Sequence, residues 1–118
     1  SNQSGVGRGY YSIDKVSKLH EWINKELNVK GAHIDDFFIA CYFKNSKKYS
    51  SLRELKRRKP NTGMIDEAIK IWKINKNKSL LIGDQLTDIQ AAKNSNIKYS
   101  ILLNNSNILE VLDHKFFK

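Results

Sequence analysis

Cysteine, proline and long apolar runs are scarce in this 118-residue chain, which has one cysteine and one proline. A single cysteine, Cys41, cannot form an internal disulfide, so a disulfide-stapled scaffold is excluded and the reducing cytoplasm is the expected location. No apolar run approaches the roughly 20 residues that span a bilayer, so we expect no membrane partner. The length predicts one domain, 1–118.

Acidic residues are also few, 12 against 21 basic ones, which gives a net charge of +9. Such a balance is compatible with nucleic-acid binding, but lysines spread over the whole chain favour a solvated surface, and charge alone does not decide between the two. One denser basic cluster is typical of a loop that faces a phosphorylated ligand. It comprises Lys44, Lys47, Lys48, Arg53, Lys56, Arg57, Arg58 and Lys59.

No Asp-x-Asp pair occurs in the sequence, and the three histidines have no partner at the spacing of metal ligands. We assign no role to His20, His33 or His114, and Cys41 lies in an apolar segment where a packed thiol is expected.

The periodicity of apolar residues predicts helices that alternate with short strands. Ser12 is expected to cap a helix over 13–27, and residues 1–11 and 44–62 are expected to be loops. Trp22 and Trp72 are expected to pack against the sheet. The other predicted elements are a buried strand over 36–43, a helix over 63–73, a strand over 79–82, a helix capped by Thr87 or Asp88 and ended by Asn96, a strand over 99–103 and a turn over 108–112.

This alternation predicts an α/β fold with a doubly wound, Rossmann-like parallel sheet. Ligands of such sheets bind beyond the carboxyl ends of the strands, where Asp84 follows the strand 79–82. A carboxylate there suits Mg²⁺, which takes one or two carboxylates together with phosphate and water. Asp88, about one helical turn later, can anchor a nearby lysine or a group in the coordination shell of the metal. The alternative is that both aspartates only cap the helix.

Two further segments offer groups for a phosphate. Lys59 can neutralise a phosphoryl group and Arg58 presents a planar fork, with Pro60 stiffening the chain behind them, although a solvated basic loop is the alternative. At the start, hydroxyl, amide and backbone N–H donors of Ser1, Asn2, Gln3 and Ser4 form a potential phosphate cradle, to which Arg8 can add charge.

Three motifs in this order, SNQSGVGRGYYS, RRKPNTGMIDEA and LLIGDQLTDIQAA, resemble the haloacid dehalogenase superfamily of phosphatases. The resemblance is to the branch of D-glycero-D-manno-heptose 1,7-bisphosphate 7-phosphatases and histidinol phosphatases, and it runs from Ser1 to about Ile97. It implies a phosphatase of carbohydrate metabolism that makes lipopolysaccharide or capsule precursors.

Carried over to this chain, the resemblance implies that Ser1 and Asn2 hold the phosphoryl group while Gln3 and Ser4 line the substrate loop. Arg58 would recognise the substrate, Lys59 would stabilise phosphoryl charge, and Asp84 would bind Mg²⁺. Gln85 would be a substrate-binding residue, and it stands where the heptose enzymes commonly have lysine.

Two parts of the family pattern are absent. The nucleophilic Asp-x-Asp is expected upstream of Ser1 on a first strand that this chain lacks, so the fold is expected to be incomplete at its N-terminus and the chain alone inactive. Of the family's zinc loop only Cys41 remains, with Phe43 at the position of the histidine, so we expect no zinc and a 44–57 loop that is mobile or ordered by other means.

The expected function is therefore Mg²⁺-dependent hydrolysis of a small sugar phosphate through an aspartyl-phosphate, by a monomer whose partner is a phosphorylated sugar rather than a nucleic acid. Two alternatives stay open: a non-catalytic binding domain, and a polynucleotide 3′-phosphatase, which the positive charge favours.

Overall fold

The structure is a computed structural model that describes residues 1–104 and residue 108. The chain divides into two compact units, Ser1–Arg58 and Lys59–Lys118. The single domain over 1–118 stays a prediction. The turn predicted over 108–112 lies, apart from Ile108, outside the described residues. No helix in the described residues has the length and apolar character needed to cross a membrane.

The first unit is organised around one long helix. Its helices are α1, Ser4–Gly7; α2, Ile13–Val29; and α3, Leu52–Arg57. Ser12 Oγ accepts a hydrogen bond from the Lys15 N–H at 3.2 Å, which confirms the predicted cap, and α2 runs two residues beyond the predicted end. On α2, Asn24 both donates to the Ile34 carbonyl at 3.0 Å and accepts from the Ile34 N–H at 2.7 Å, so it ties the following segment to the helix.

The strand predicted over 36–43 is wrong, because this segment forms only one isolated parallel bridge, between Asn2 and Ala40. The Gln3 N–H donates to the Ala40 carbonyl at 2.7 Å and the Ala40 N–H to the Ser1 carbonyl at 3.0 Å. Pairing stops there because α1 begins at Ser4, so no ladder of successive bridges develops. The segment is nevertheless buried, as predicted, at Ala40 and Cys41.

The loop predicted over 1–11 contains α1, and of its three glycines only Gly9 has a positive φ, 78°. Gly7 serves a different purpose: a Cβ on it would overlap the Cys41 carbonyl and the Phe43 side chain. The lack of a side chain therefore lets α1 pack directly on the 41–43 segment. Val6, Val16 and Cys41 form the buried core of this unit.

The uninterrupted loop predicted over 44–62 is also wrong, because α3 lies within it. Ser51 Oγ accepts from the Glu54 N–H at 3.2 Å, the first half of a Ser-x-x-Glu capping signature that apolar periodicity does not detect. Earlier in the segment, Ser46 Oγ accepts from the Lys48 and Tyr49 N–H groups, at 3.3 and 3.0 Å. Hydrogen bonds thus order the segment, which was one of the two predicted alternatives.

The second unit is a βαβ unit preceded by a helix. Its elements are α4, Gly63–Trp72; a 3₁₀ turn, Lys76–Lys78; β1, Leu80–Gly83; α5, Leu86–Asn94; and β2, Tyr99–Leu102. β1 and β2 are parallel, with Leu80 opposite Tyr99 and Gly83 opposite Leu102. The predicted helices and strands are confirmed to within a few residues, and so is the α/β class with parallel strands.

The ends of α5 differ in detail from the prediction. Its N-cap is Gln85 rather than Thr87 or Asp88, which lie in the first turn. Its C-cap is Ser95, and Asn96 follows in the left-handed region at φ 58°. The Asn96 N–H donates to the Lys93 carbonyl and the Ile97 N–H to the Ala92 carbonyl, at 3.0 and 2.9 Å, which is a Schellman ending.

Neither tryptophan is buried as a residue packed against a sheet would be, so that expectation is wrong. Trp22 on α2 is 57% exposed and Trp72 at the end of α4 is 51% exposed.

Removing the Ser51 cap tests whether α3 depends on it. We expect Ser51→Ala to lower the free energy of unfolding by about 0.5–2 kcal/mol, because the Glu54 N–H loses its acceptor. Ser50→Ala, at the exposed preceding serine, is the matched control and should change it by less than about 0.5 kcal/mol. Urea unfolding measures both, and equal effects of the two substitutions would contradict the capping role.

Candidate functional site

Asp84 is placed by the end of β1. Gly83 is the last residue of that strand, and Asp84 follows it directly, at the edge where ligands of parallel sheets bind. The side chain is exposed. The Asp84 backbone N–H donates to the carboxylate of Asp88, and this hydrogen bond stabilises the turn between β1 and α5.

Asp88 is a buried carboxylate of the second unit that pairs with a lysine. It is 4% exposed and accepts from the Gln85 N–H at 3.0 Å, from the Asp84 N–H and from the Lys59 ammonium, with which it forms an ion pair. Burial alone would raise the pKa of Asp88, but these hydrogen bonds and the charge of Lys59 outweigh burial and hold the pKa below its ordinary value. The carboxylate is therefore charged at neutral pH.

Lys59 reaches Asp88 from 29 residues away in the sequence. Its peptide bond to Pro60 is cis, and the Pro60 carbonyl accepts from Asn94 Nδ2 at 3.2 Å. The Lys59–Pro60 segment is therefore attached to α5 near both ends of that helix, with Asp88 in its first turn and Asn94 in its last. These contacts position the ammonium of a side chain that would otherwise be mobile.

Gly83 allows Asp88 to take this position. A Cβ on Gly83 would overlap the Cβ, Cγ and Oδ2 atoms of Asp88. No other residue fits here without moving the carboxylate that holds Lys59.

In the first unit, the Ser1–Ser4 segment is held by its own side chains as well as by its backbone. Gln3 Nε2 donates to Ser1 Oγ at 3.0 Å, and Gln3 Oε1 accepts from the Tyr11 hydroxyl at 2.7 Å. The Gln3 amide is thus engaged in shaping the segment. Ser4 opens α1 and lines a cavity.

That cavity, which we call the basic pocket, has a volume of about 240 Å³. It is lined by Ser4, Arg8, Tyr42, Phe43, Lys44 and Arg58. Arg8 lies over the Phe43 ring, 4.3 Å from its centroid. Two of the predicted substrate residues, Ser4 and Arg58, therefore share one cavity.

The structure thus groups the predicted residues within each unit. In the second unit, Asp88 contacts Lys59 and lies beside Asp84 and Gln85; in the first, Ser1 is bonded to Gln3, and Ser4 shares the basic pocket with Arg58. The roles of all these residues stay predictions. Sequence reasoning missed Tyr11 and Glu54, which support the first group, and only the Ser-x-x-Glu signature could have indicated Glu54.

Of the groups to which no role was assigned, His20 and Cys41 are packed, His33 is exposed and pairs with Asp35 at 2.9 Å, and His114 lies outside the described residues. The His20 ring stacks on Phe37 with centroids 4.0 Å apart, and burial, followed by the charge of the N-terminus, lowers the pKa of His20. Burial also raises the pKa of the Cys41 thiol, and the nearby Glu54 carboxylate raises it further. Cys41 is accordingly a poor nucleophile.

The donors that could hold a metal fit Mg²⁺ better than zinc. Within residues 1–104 and 108, no cluster of three or more histidine, cysteine or acidic side chains is present. Asp84 offers one exposed carboxylate at the strand end, while the Asp88 oxygens are already engaged by Lys59 and backbone N–H groups. One carboxylate with phosphate and water is a donor set that Mg²⁺ accepts.

Comparison with known proteins agrees with this arrangement. Residues 17–102, well over half of the chain, match the family described as haloacid dehalogenase-like hydrolase. The chain belongs to this family.

Two curated relatives of this haloacid dehalogenase-like chain carry the same name, D-glycero-beta-D-manno-heptose-1,7-bisphosphate 7-phosphatase. The protein of Rhodopseudomonas palustris is 39% identical over 97 residues, which are 82% of this chain and 54% of the relative. The protein of Pasteurella multocida is 35% identical over 103 residues, 87% of this chain and 55% of the relative. The chain thus spans about half the length of these relatives.

A crystal structure of a candidate HAD-like phosphatase from Mesorhizobium loti has the same fold. It superposes with a TM-score of 0.77 at 30% sequence identity, covering 86% of this chain and 48% of the other. The predicted membership and the Rossmann-like α/β fold of the family are confirmed.

The pKa of Asp88 predicts a pH-dependent contribution to stability. We expect Asp88→Asn to lower the free energy of unfolding by about 2–4 kcal/mol at pH 7, because the partly buried Lys59 loses its counter-charge. Since the folded-state pKa is depressed, this contribution is present above the unfolded pKa of about 3.9 and is lost as pH falls through the folded value. The difference between wild type and variant should therefore shrink below about pH 4.

Asp84→Asn is the matched control, since it neutralises an exposed neighbour and should change the free energy of unfolding by less than about 0.5 kcal/mol. Urea unfolding at a series of pH values measures both variants. A difference for Asp88→Asn that stays constant between pH 7 and pH 3.5 would refute the linkage.

Proposed function

We propose that the chain is part of a Mg²⁺-dependent phosphatase that acts on a small phosphorylated sugar resembling a heptose bisphosphate, in the cytoplasm. The observation that carries the proposal is the Lys59–Asp88 ion pair behind Asp84 at the end of β1. It is supported by the family match and by the heptose bisphosphate phosphatase names of the relatives.

In the second unit, Lys59 has the role of stabilising charge on the phosphoryl oxygens. Asp88, which remains ionised at neutral pH, holds its ammonium in place. Asp84 is the residue that would hold Mg²⁺, which when bound neutralises phosphoryl charge. Gln85 follows at the start of α5, exposed, as a substrate contact.

In the first unit, Ser1 and Asn2 are proposed to hold the phosphoryl group. The bridge to Ala40 and the Gln3 amide keep this segment extended, so its donors are already oriented when the substrate arrives. Ser4 and Arg58 are proposed to bind the rest of the substrate. The proposal includes an aspartate nucleophile from a segment that precedes Ser1, as the family resemblance implies.

Activity of the full-length gene product tests this function. We expect release of one phosphate from heptose 1,7-bisphosphate in either anomeric form, dependent on Mg²⁺. Asp84→Asn should lower kcat/KM by about 10²-fold or more and raise the Mg²⁺ concentration needed for half-maximal rate. Asp14→Asn, an equal charge change on the exposed face of α2, should leave both unchanged.

A panel of substrates separates the alternatives. It contains sugar phosphates, histidinol phosphate and an oligonucleotide with a 3′-phosphate, each assayed with Mg²⁺. Preference for the oligonucleotide would favour a polynucleotide 3′-phosphatase, for which the +9 charge is the supporting observation. No turnover of any phosphomonoester would refute the proposal and favour a binding domain.

A further inference from the structure

Tyr11 is a residue of the first unit without an assigned role, yet its hydroxyl contacts a residue that has one. The hydroxyl donates to Gln3 Oε1 at 2.7 Å. The nitrogen of the same amide, Gln3 Nε2, donates to Ser1 Oγ at 3.0 Å. Two hydrogen bonds therefore connect Tyr11 to Ser1 through one amide, and we call this arrangement the Tyr11–Gln3–Ser1 network.

The backbone near α1 makes room for the Tyr11 ring. A Cβ on Gly5 would overlap the Cε1, Cζ and hydroxyl oxygen atoms of Tyr11, so the phenol lies directly against this glycine. The Gly5 carbonyl also accepts from the Tyr10 N–H at 2.9 Å, which brings the chain back to α1 just before Tyr11. Tyr11 is thus held where its hydroxyl reaches Gln3.

The other end of the network is held by the backbone of the Ser1–Ser4 segment. The Ser1 carbonyl accepts from the Ala40 N–H at 3.0 Å, and the Gln3 N–H donates to the Ala40 carbonyl at 2.7 Å. Side chains two residues apart on an extended segment point to the same side. Ser1 and Gln3 therefore lie side by side, as their hydrogen bond requires.

The Tyr11 hydroxyl favours one orientation of the Gln3 amide. A phenolic oxygen shares its lone pairs with the ring, so it donates a hydrogen bond better, and accepts one less well, than an aliphatic hydroxyl. Tyr11 is therefore suited to donate to the amide oxygen, and Ser1 Oγ to accept from the amide nitrogen. In the reversed amide, the Ser1 hydroxyl would donate to Gln3 Oε1.

The orientation of the amide decides where the Ser1 hydroxyl hydrogen points. A serine hydroxyl has one hydrogen to donate and two lone pairs that accept. Because Ser1 Oγ accepts from Gln3 Nε2, its hydrogen points away from Gln3. A charged phosphoryl oxygen only accepts hydrogen bonds, so a serine that holds one has to donate.

We propose that Tyr11 is a positioning residue for phosphate binding: through the Gln3 amide, it keeps the Ser1 hydroxyl oriented as a donor to a phosphoryl oxygen. This inference rests on the proposed function for the role of Ser1. Tyr11 itself does not touch the phosphate. All members of the network belong to the first unit.

Removal of the Tyr11 hydroxyl in the full-length gene product tests the proposal. We expect Tyr11→Phe to lower kcat/KM for heptose 1,7-bisphosphate about tenfold, as misdirection of one charge-assisted hydrogen bond would. Tyr10→Phe is the matched control, since it removes the same atom from a neighbouring residue that is 73% exposed, and it should change kcat/KM less than twofold. Both substitutions keep the ring, so both variants should fold.

A double-mutant cycle distinguishes action through Ser1 from a general structural effect. In the Ser1→Ala background the hydroxyl that Tyr11 orients is absent, so Tyr11→Phe should there change kcat/KM less than twofold. An equal loss in the presence and in the absence of the Ser1 hydroxyl would overturn the proposal. So would a Tyr11→Phe variant as active as the wild type.

Binding of inorganic phosphate tests the same network without turnover. Phosphate is titrated into the ¹⁵N-labelled full-length protein, and shifts of the Asn2 and Gln3 amide signals give Kd. We expect Kd to rise about tenfold in Tyr11→Phe, and to stay unchanged in Tyr10→Phe and when Tyr11→Phe is added to Ser1→Ala.

The two measurements separate failure of this inference from failure of the proposed function. No hydrolysis of any phosphomonoester would refute the proposed function, and the phosphate titration would still decide on Tyr11. Absence of saturable shifts, or an equal Kd for wild type and Tyr11→Phe, would overturn the inference whether or not the protein is a phosphatase.

Discussion

The charge on Asp88 is the constraint on which the second unit depends. A carboxylate that is 4% exposed is stable only when hydrogen bonds and a counter-ion compensate for the lost hydration. Backbone N–H groups of the β1–α5 turn provide the hydrogen bonds, and Lys59 provides the counter-ion. The same contacts close the turn that carries Asp84 and hold the Lys59 ammonium in place. Folding of this turn therefore also positions Asp84 and Lys59.

The first unit solves a different problem, which is to hold an extended segment without a full strand partner. The segment 34–43 is attached at Ile34 by the Asn24 side chain, at Ala40 by the Ser1–Gln3 backbone and at Cys41 by Glu54. These attachments replace the ladder of a sheet. They also align α1, the 43–49 turn and the end of α3, and the basic pocket forms where these three meet.

Elements with clear periodicity were predictable from the sequence, and those that depend on contacts distant in sequence were not. The spacing of apolar residues indicates α2 and the βαβ unit because each buries one face. The apolar segment over 36–43 indicates a strand equally well, but strand formation requires a partner, and pairing ends where α1 begins. α3 has six residues, too few to show a period, and its signal is only the Ser51–Glu54 spacing. The position of Asp84 at the edge of the sheet was predictable, because it directly follows a strand. The convergence of Arg8, Lys44 and Arg58 on one pocket arises from tertiary contacts that no local pattern encodes.

The buried thiol of Cys41 has a practical consequence. Burial and the neighbouring Glu54 raise its pKa above the ordinary value of about 8.5, so the reactive thiolate is scarce at neutral pH. An alkylating reagent would modify Cys41 mainly when the 41–43 segment separates from α1. As the one cysteine in these 118 residues, it is a built-in reporter whose labelling rate measures how often the first unit opens.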